Sequence, residues 1–147
     1  MWADTLLAAE RAHLLRILVW AGASILVGAA LAAFLRHRRI TAPLLHHFGL
    51  QTAAWGVIDL LLVWWAWREL RLRDYDRALA LERILWLNVG LDVGYVGVGI
   101  TLALAGWFAG RRMGLLGAGL GVVTQGLALL VLDGVFLSHL GRLGIHG

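Results

Sequence analysis

Four runs of roughly twenty apolar residues, at about 17–35, 48–67, 84–108 and 113–137, leave this 147-residue chain few ways to fold. A helix rising ~1.5 Å per residue needs about twenty residues to cross a ~30 Å hydrocarbon core, and each run reaches that length. Water is a poor alternative solvent, because 61% hydrophobic and 15% charged residues supply too little polar surface for a soluble domain of this size. The expected fold is all-α: a single polytopic domain over 1–147, a four-transmembrane-helix up-down-up-down bundle. Residues 1–16 read as an interfacial lead-in to the first span and 68–83 as a charged helical loop. Nineteen glycines, costly in a water-exposed helix, suit a bundle whose backbones approach closely in lipid. A secretory signal peptide over Arg11 to Ala33 is the competing reading of the first run, with Ala30-Leu31-Ala32 resembling a cleavage triplet. The segment is read here as a retained helix.

The ends of the runs carry the punctuation. Thr41-Ala42-Pro43 predicts the start of the second helix, with proline in the first turn, where no hydrogen bond is lost. Ala109-Gly110-Arg111-Arg112 predicts a tight reversal into the fourth, and Arg73-Asp74-Tyr75-Asp76 a turn between the second and third. All thirteen basic residues are arginines at span ends, so the charge of +4 reflects topology and anionic headgroups and argues against nucleic acid as a partner. Counting arginines, eight lie on the side of both termini and five on the other. This predicts cytoplasmic termini in a bacterial inner membrane. Trp2, Trp20, Trp64, Trp65, Trp67 and Trp86 gather on the termini side as an expected aromatic belt.

An internal repeat of helical hairpins is a further expectation. Gln51 and Asp59 in the second run match Gln125 and Asp133 in the fourth at the same spacing, and Gly22, Ser24 and Gly28 in the first echo Gly90, Asp92 and Gly97 in the third. Such a pattern relates two hairpins about an axis along the membrane normal.

Asp59, Asp92 and Asp133 each interrupt a separate apolar run, where an ionised carboxylate needs a reason. Counted from the span ends, all three fall about 9–12 Å below the termini-side boundary, in one predicted layer with Ser24. Asn88, Asp92, Tyr95 and Gly99 share a stripe of the third helix, with Gly90, Gly94 and Gly97 on its other face, so that helix is expected to be central and enclosed on both sides. Carboxylates gathered in low dielectric, with no basic group at their own depth, would hold at least one proton among them, which makes a proton or small cation the natural ligand. Candidate ligand or ion-binding residues are Asp59, Asp92, Asp133, Asn88, Tyr95, Ser24, Gln125 and Gln51. The structural alternative is that the same groups hydrogen-bond across helices and set their register.

Other chemistry finds less support. Cysteine is absent, which removes thiolate nucleophiles, Fe–S clusters and thiolate zinc sites. His13 with His139, and the adjacent His46 and His47, are the weak candidates for a metal ion or haem; they fall near the rims and show no ligand spacing. No cofactor is predicted. Neither Ser24 nor Ser138 stands in a glycine-framed nucleophile turn, and Gly90-Leu91-Asp92 lacks the second glycine of intramembrane aspartyl proteases, so a catalytic role is not expected.

The run Asn88-Val89-Gly90-Leu91-Asp92-Val93-Gly94-Tyr95, with Gln125-Gly126 and Leu132-Asp133-Gly134, resembles a bacterial family of small four-helix integral membrane proteins filed as a domain of unknown function. The resemblance covers most of the chain. It implies a helical bundle in which Asn88, Asp92, Tyr95, Gln125 and Asp133 are family features, and it brings no activity. The expected function is a proton- or cation-linked transporter or channel component, acting in the lipid bilayer as a homodimer because four helices enclose little space. The alternative is a non-catalytic accessory or assembly protein, with haem or metal binding a third reading.

Overall fold

The computed structural model describes residues 2–144; Met1 of the expected lead-in and residues 145–147 of the single domain lie outside them. Four α-helices follow one another: α1 (Trp2–His37), α2 (Pro43–Arg68), α3 (Tyr75–Phe108) and α4 (Met113–Arg142). The described residues contain no strand. Each helix is long and apolar enough to cross a membrane, which is consistent with an integral membrane protein.

The turn signals act largely as expected. Pro43 opens α2, but Ala42 occupies the capping position and no side chain caps it, because Thr41 stands one residue too early. Asp74 caps α3 by accepting the Arg77 backbone N–H at 2.9 Å, a bond worth about 1 kcal/mol. Between α3 and α4 the chain reverses through left-handed conformations at Gly110 (φ 80°) and Arg111 (φ 56°). Glycine adopts that conformation freely and arginine does not. The expected interfacial lead-in is instead the first four turns of α1, which continue unbroken from Trp2. Leu6, Glu10, His13 and Leu14 are buried there, and Leu6 joins Ala78, Leu85, Phe136 and Leu140 in an apolar core.

Glycine sets how the helices meet. A Cβ on Gly28 would come within 2.7 Å of the Ala53 nitrogen, and one on Gly56 within 2.7 Å of the Ala21 carbonyl oxygen, so α1 and α2 touch backbone to backbone and run antiparallel. The pair α3 and α4 meets in the same way: Gly99 faces Gly119 and Val123, and Gly126 faces Asp92 and Val96. On the other side of α4, Gly117 abuts Leu44 and Gly121 abuts Gln51, which sets α2 and α4 parallel. The glycines of α4 thus admit a neighbour on each of two faces, and α4 is the central helix.

The expectation of a central third helix fails here. No Cα of α3 comes within 8 Å of α1 or α2. Gly90, Gly94 and Gly97 have nothing within 4 Å of an added Cβ and lie on the outer surface. Small residues permit close approach without saying which face is approached, and α4 offers more of them on more sides. The two hairpins also depart from a simple twofold, because α1 reaches α4 whereas the backbone of α3 does not reach α2.

The start of α1, the end of α4 and the 69–74 loop close one end of the bundle. The Trp2 indole N–H donates to the Leu143 carbonyl at 3.3 Å. Arg73 forks onto Glu10, with Nη2 to Oε1 at 2.6 Å and Nε to Oε2 at 3.1 Å. That hydrogen bond raises the Arg73 pKa above the ordinary guanidinium range despite partial burial, so the arginine stays charged.

Candidate functional site

Every aspartate of the apolar runs faces inward: Asp59, Asp92 and Asp133 are 2%, 3% and 5% exposed. Each lies within electrostatic reach of the other two. They are held on three helices by helical periodicity. On α1 the buried positions Leu6, Glu10, His13, Ser24 and Gly28 recur on one stripe. On α3 the corresponding stripe is Ala78, Leu85, Asp92, Gly99 and Gly106.

Two tiers of hydrogen bonds connect these carboxylates to the rest of the core. In the inner tier, the Trp20 indole N–H donates to Gln125 Oε1 at 3.0 Å, and the Gln125 amide N–H donates in turn to Asp59 Oδ2. One chain of donors therefore ties α1, α4 and α2 together. Nearer the termini, His13 Nε2 lies 3.3 Å from Asp133 Oδ1, and the imidazole stacks on Phe136 with ring centres 4.4 Å apart. Along α4, Gln125 and Asp133 are separated by about 12 Å of helix, so Asp59 and His13 are engaged from different levels of that helix.

Asp92 enters the inner tier from α3, its backbone carbonyl against Gly126. Its Oδ2 is buried and accepts no hydrogen bond. Ser24 Oγ, Thr52 Oγ1, Trp55 Nε1 and His13 Nδ1 are likewise buried and unpartnered. Buried polar atoms are nearly always satisfied, so these five are exceptions within an otherwise hydrogen-bonded core. Asn88 and Tyr95 are half-buried on the Asp92 stripe, and the Tyr95 ring meets Trp55 edge-on at 5.0 Å. Gln51 is half-buried against Gly121, one turn of α4 from Gln125, and makes no hydrogen bond to the Gln125 chain.

The histidines divide differently from the sequence reading. His13 leaves the rim and supplies the basic group at aspartate depth that the sequence reading had excluded, because the lead-in proved to be core helix. His139 engages the Val135 carbonyl of its own helix through Nδ1 at 2.8 Å. His46 and His47 are exposed, with their rings edge to face at the start of α2. Among the described residues no group of three or more His, Asp or Glu gathers in metal-binding fashion. Sequence reasoning also missed Trp20, assigned to the belt, and the Glu10–Arg73 pair. Continuing the α1 stripe backwards from Ser24 through Trp20, His13 and Glu10 would have found all but Arg73. Trp64, Trp65, Trp67 and Trp86 do lie exposed on the outer surface, as a belt requires.

The model of a family of unknown function, DUF6992, matches residues 16–134, a span that holds Trp20, Asp59, Asp92, Gln125 and Asp133. No curated protein and no solved structure matches the chain.

Proposed function

The chain belongs to DUF6992, a family of unknown function, and from the chemistry of its own core we propose a proton- or small-cation-linked transporter or channel component. The observation that carries this reading is the ladder of ionisable groups running inward from the termini end. Glu10 stands at the Arg73 mouth, the His13–Asp133 pair follows, and Asp59 and Asp92 lie beyond. Protons move between carboxylates, imidazoles and water by short hops, and a row of such groups in an apolar bundle is the arrangement that proton relays use. The same proposal sets both termini in the cytoplasm of a bacterial inner membrane. It also has two copies acting together, since four closely packed helices leave little room for a pathway.

Asp92 provides the test, because its Oδ2 has no hydrogen bond to lose. Asparagine there keeps the size of the side chain and removes the titrating proton. The wild type reconstituted in liposomes is expected to pass protons or a monovalent cation, and Asp92→Asn to abolish that flux while remaining folded. Flux that is absent from the wild type, or unchanged from the wild type in both Asp92→Asn and Asp92→Leu, would overturn the reading.

The Trp20–Gln125–Asp59 chain favours a second reading. Its side chains satisfy one another across three helices, as expected of polar groups that lock packing in an accessory or assembly protein. On that reading Asp92→Asn is silent and no flux is seen.

A further inference from the structure

On the outside of the bundle, α1 and α4 are separated by an open groove of about 520 Å³, a volume within the range of small-molecule sites. Arg16, Val19, Trp20 and Ala23 line it from α1, with Ala128 and Val131 among the residues of α4. Val19 and Val131 are 72% and 61% exposed, so the groove opens outward, toward lipid if the helices span a bilayer. Its inner end, at Ala23, is about 10 Å of helix from Arg16. The wall is apolar apart from Arg16, which stands at the edge of the first apolar run. Among the described residues Arg16 is exposed and makes no ion pair. Trp20 forms part of the wall while its indole N–H is held by Gln125, so this part of the groove is fixed before anything enters it.

We propose that this groove binds an anionic glycerophospholipid. One acyl chain lies along Val19, Ala23, Ala128 and Val131, and the headgroup phosphate sits on Arg16. Charge complementarity decides between this occupant and a second copy of the chain. An apolar helix laid over the groove would strip water from an unpaired guanidinium, whereas an anionic headgroup neutralises it.

The test is native mass spectrometry of the purified full chain equilibrated with equal phosphatidylglycerol and phosphatidylcholine. The wild type should retain phosphatidylglycerol preferentially. Arg16→Gln should reduce that preference about fivefold, the equivalent of the ~1 kcal/mol that one basic side chain contributes near an anionic surface. Ala128→Phe, which fills the groove, should abolish retention of both lipids at unchanged helical content; Val131→Phe, on the exposed wall, replaces it if Ala128→Phe does not fold. An unchanged preference in Arg16→Gln, or undiminished retention in a groove-filled variant, would overturn the proposal. A groove-filled variant that loses oligomeric mass while keeping its lipid would overturn it too, by assigning the groove to a second copy.

Discussion

Replacing Gln125 with leucine removes two interhelical hydrogen bonds at once and leaves the buried Asp59 and the half-buried Trp20 indole without those partners. Gln125 and Asp59 are each 2% exposed, so water cannot easily take over the Asp59 carboxylate that the amide now serves. Each lost bond is worth about 0.6 kcal/mol by the average of interhelical measurements in lipid. The stranded acceptor adds a desolvation cost of about 1–3 kcal/mol, so Gln125→Leu should cost about 3 kcal/mol in all. Removing the acceptor as well should relieve much of this, since replacing both partners of a buried pair by apolar groups is close to neutral. Asp59→Leu/Gln125→Leu is therefore expected to be more stable than Gln125→Leu alone, with a coupling of about 1–2 kcal/mol. Trp20→Phe, which breaks only the outer bond, should cost about 1 kcal/mol. Reversible unfolding in mixed micelles, followed by circular dichroism, measures the wild type, Gln125→Leu, Asp59→Leu, the double variant and Trp20→Phe on one scale. Additive effects of Asp59→Leu and Gln125→Leu would refute the reasoning, because they would show that the two side chains do not depend on each other.

Three further outcomes follow from the same structure. Gly28→Ala should destabilise by about 2 kcal/mol, as overpacking against the α2 backbone outweighs the better helix propensity of alanine, while Gly22→Ala, with nothing within 4 Å, should be neutral or slightly stabilising; thermal melts compare them. Glu10→Gln should cost about 2–3 kcal/mol, because a partly buried Arg73 loses its charged partner. The folded-state pKa of Arg73 is raised, so its share of that stability is complete at all pH values below the ordinary guanidinium range and is lost only above it. The stability lost in Glu10→Gln should therefore owe nothing to Arg73 titration between about pH 5 and 9, as melts across that range would record. Cysteines placed near both termini and in the 69–74 loop should label from the same side of the membrane, and cytoplasmic accessibility of all three would support the proposed orientation.

Much of the architecture was legible along the chain because helices long and apolar enough to cross a bilayer leave continuous apolar runs in the sequence. Apolar run lengths announced four helices, and Pro43, Asp74 and Gly110 marked ends that the structure places within a few residues of their expected positions. The inward direction of Asp59, Asp92 and Asp133 was legible for the same reason, since lipid offers a carboxylate no partner. Their neighbours were not. His13 looked like a rim histidine because local composition around it is polar, yet position on a helix face, not local composition, decided its burial. Gln125 and Asp59 are far apart in the chain, and only the parallel packing of α2 on α4 brings them together. Gly90, Gly94 and Gly97 carry the same small-residue signal as the glycines of α4, but a periodic pattern is blind to which neighbour arrives. Transfer of apolar residues out of water is a property of each segment, so the sequence by itself determined four long helices and which polar residues they must hide. Pairing is a property of surfaces that meet, and so the central place of α4, the outward turn of α3 and the partners of each buried carboxylate were decided only by the tertiary structure.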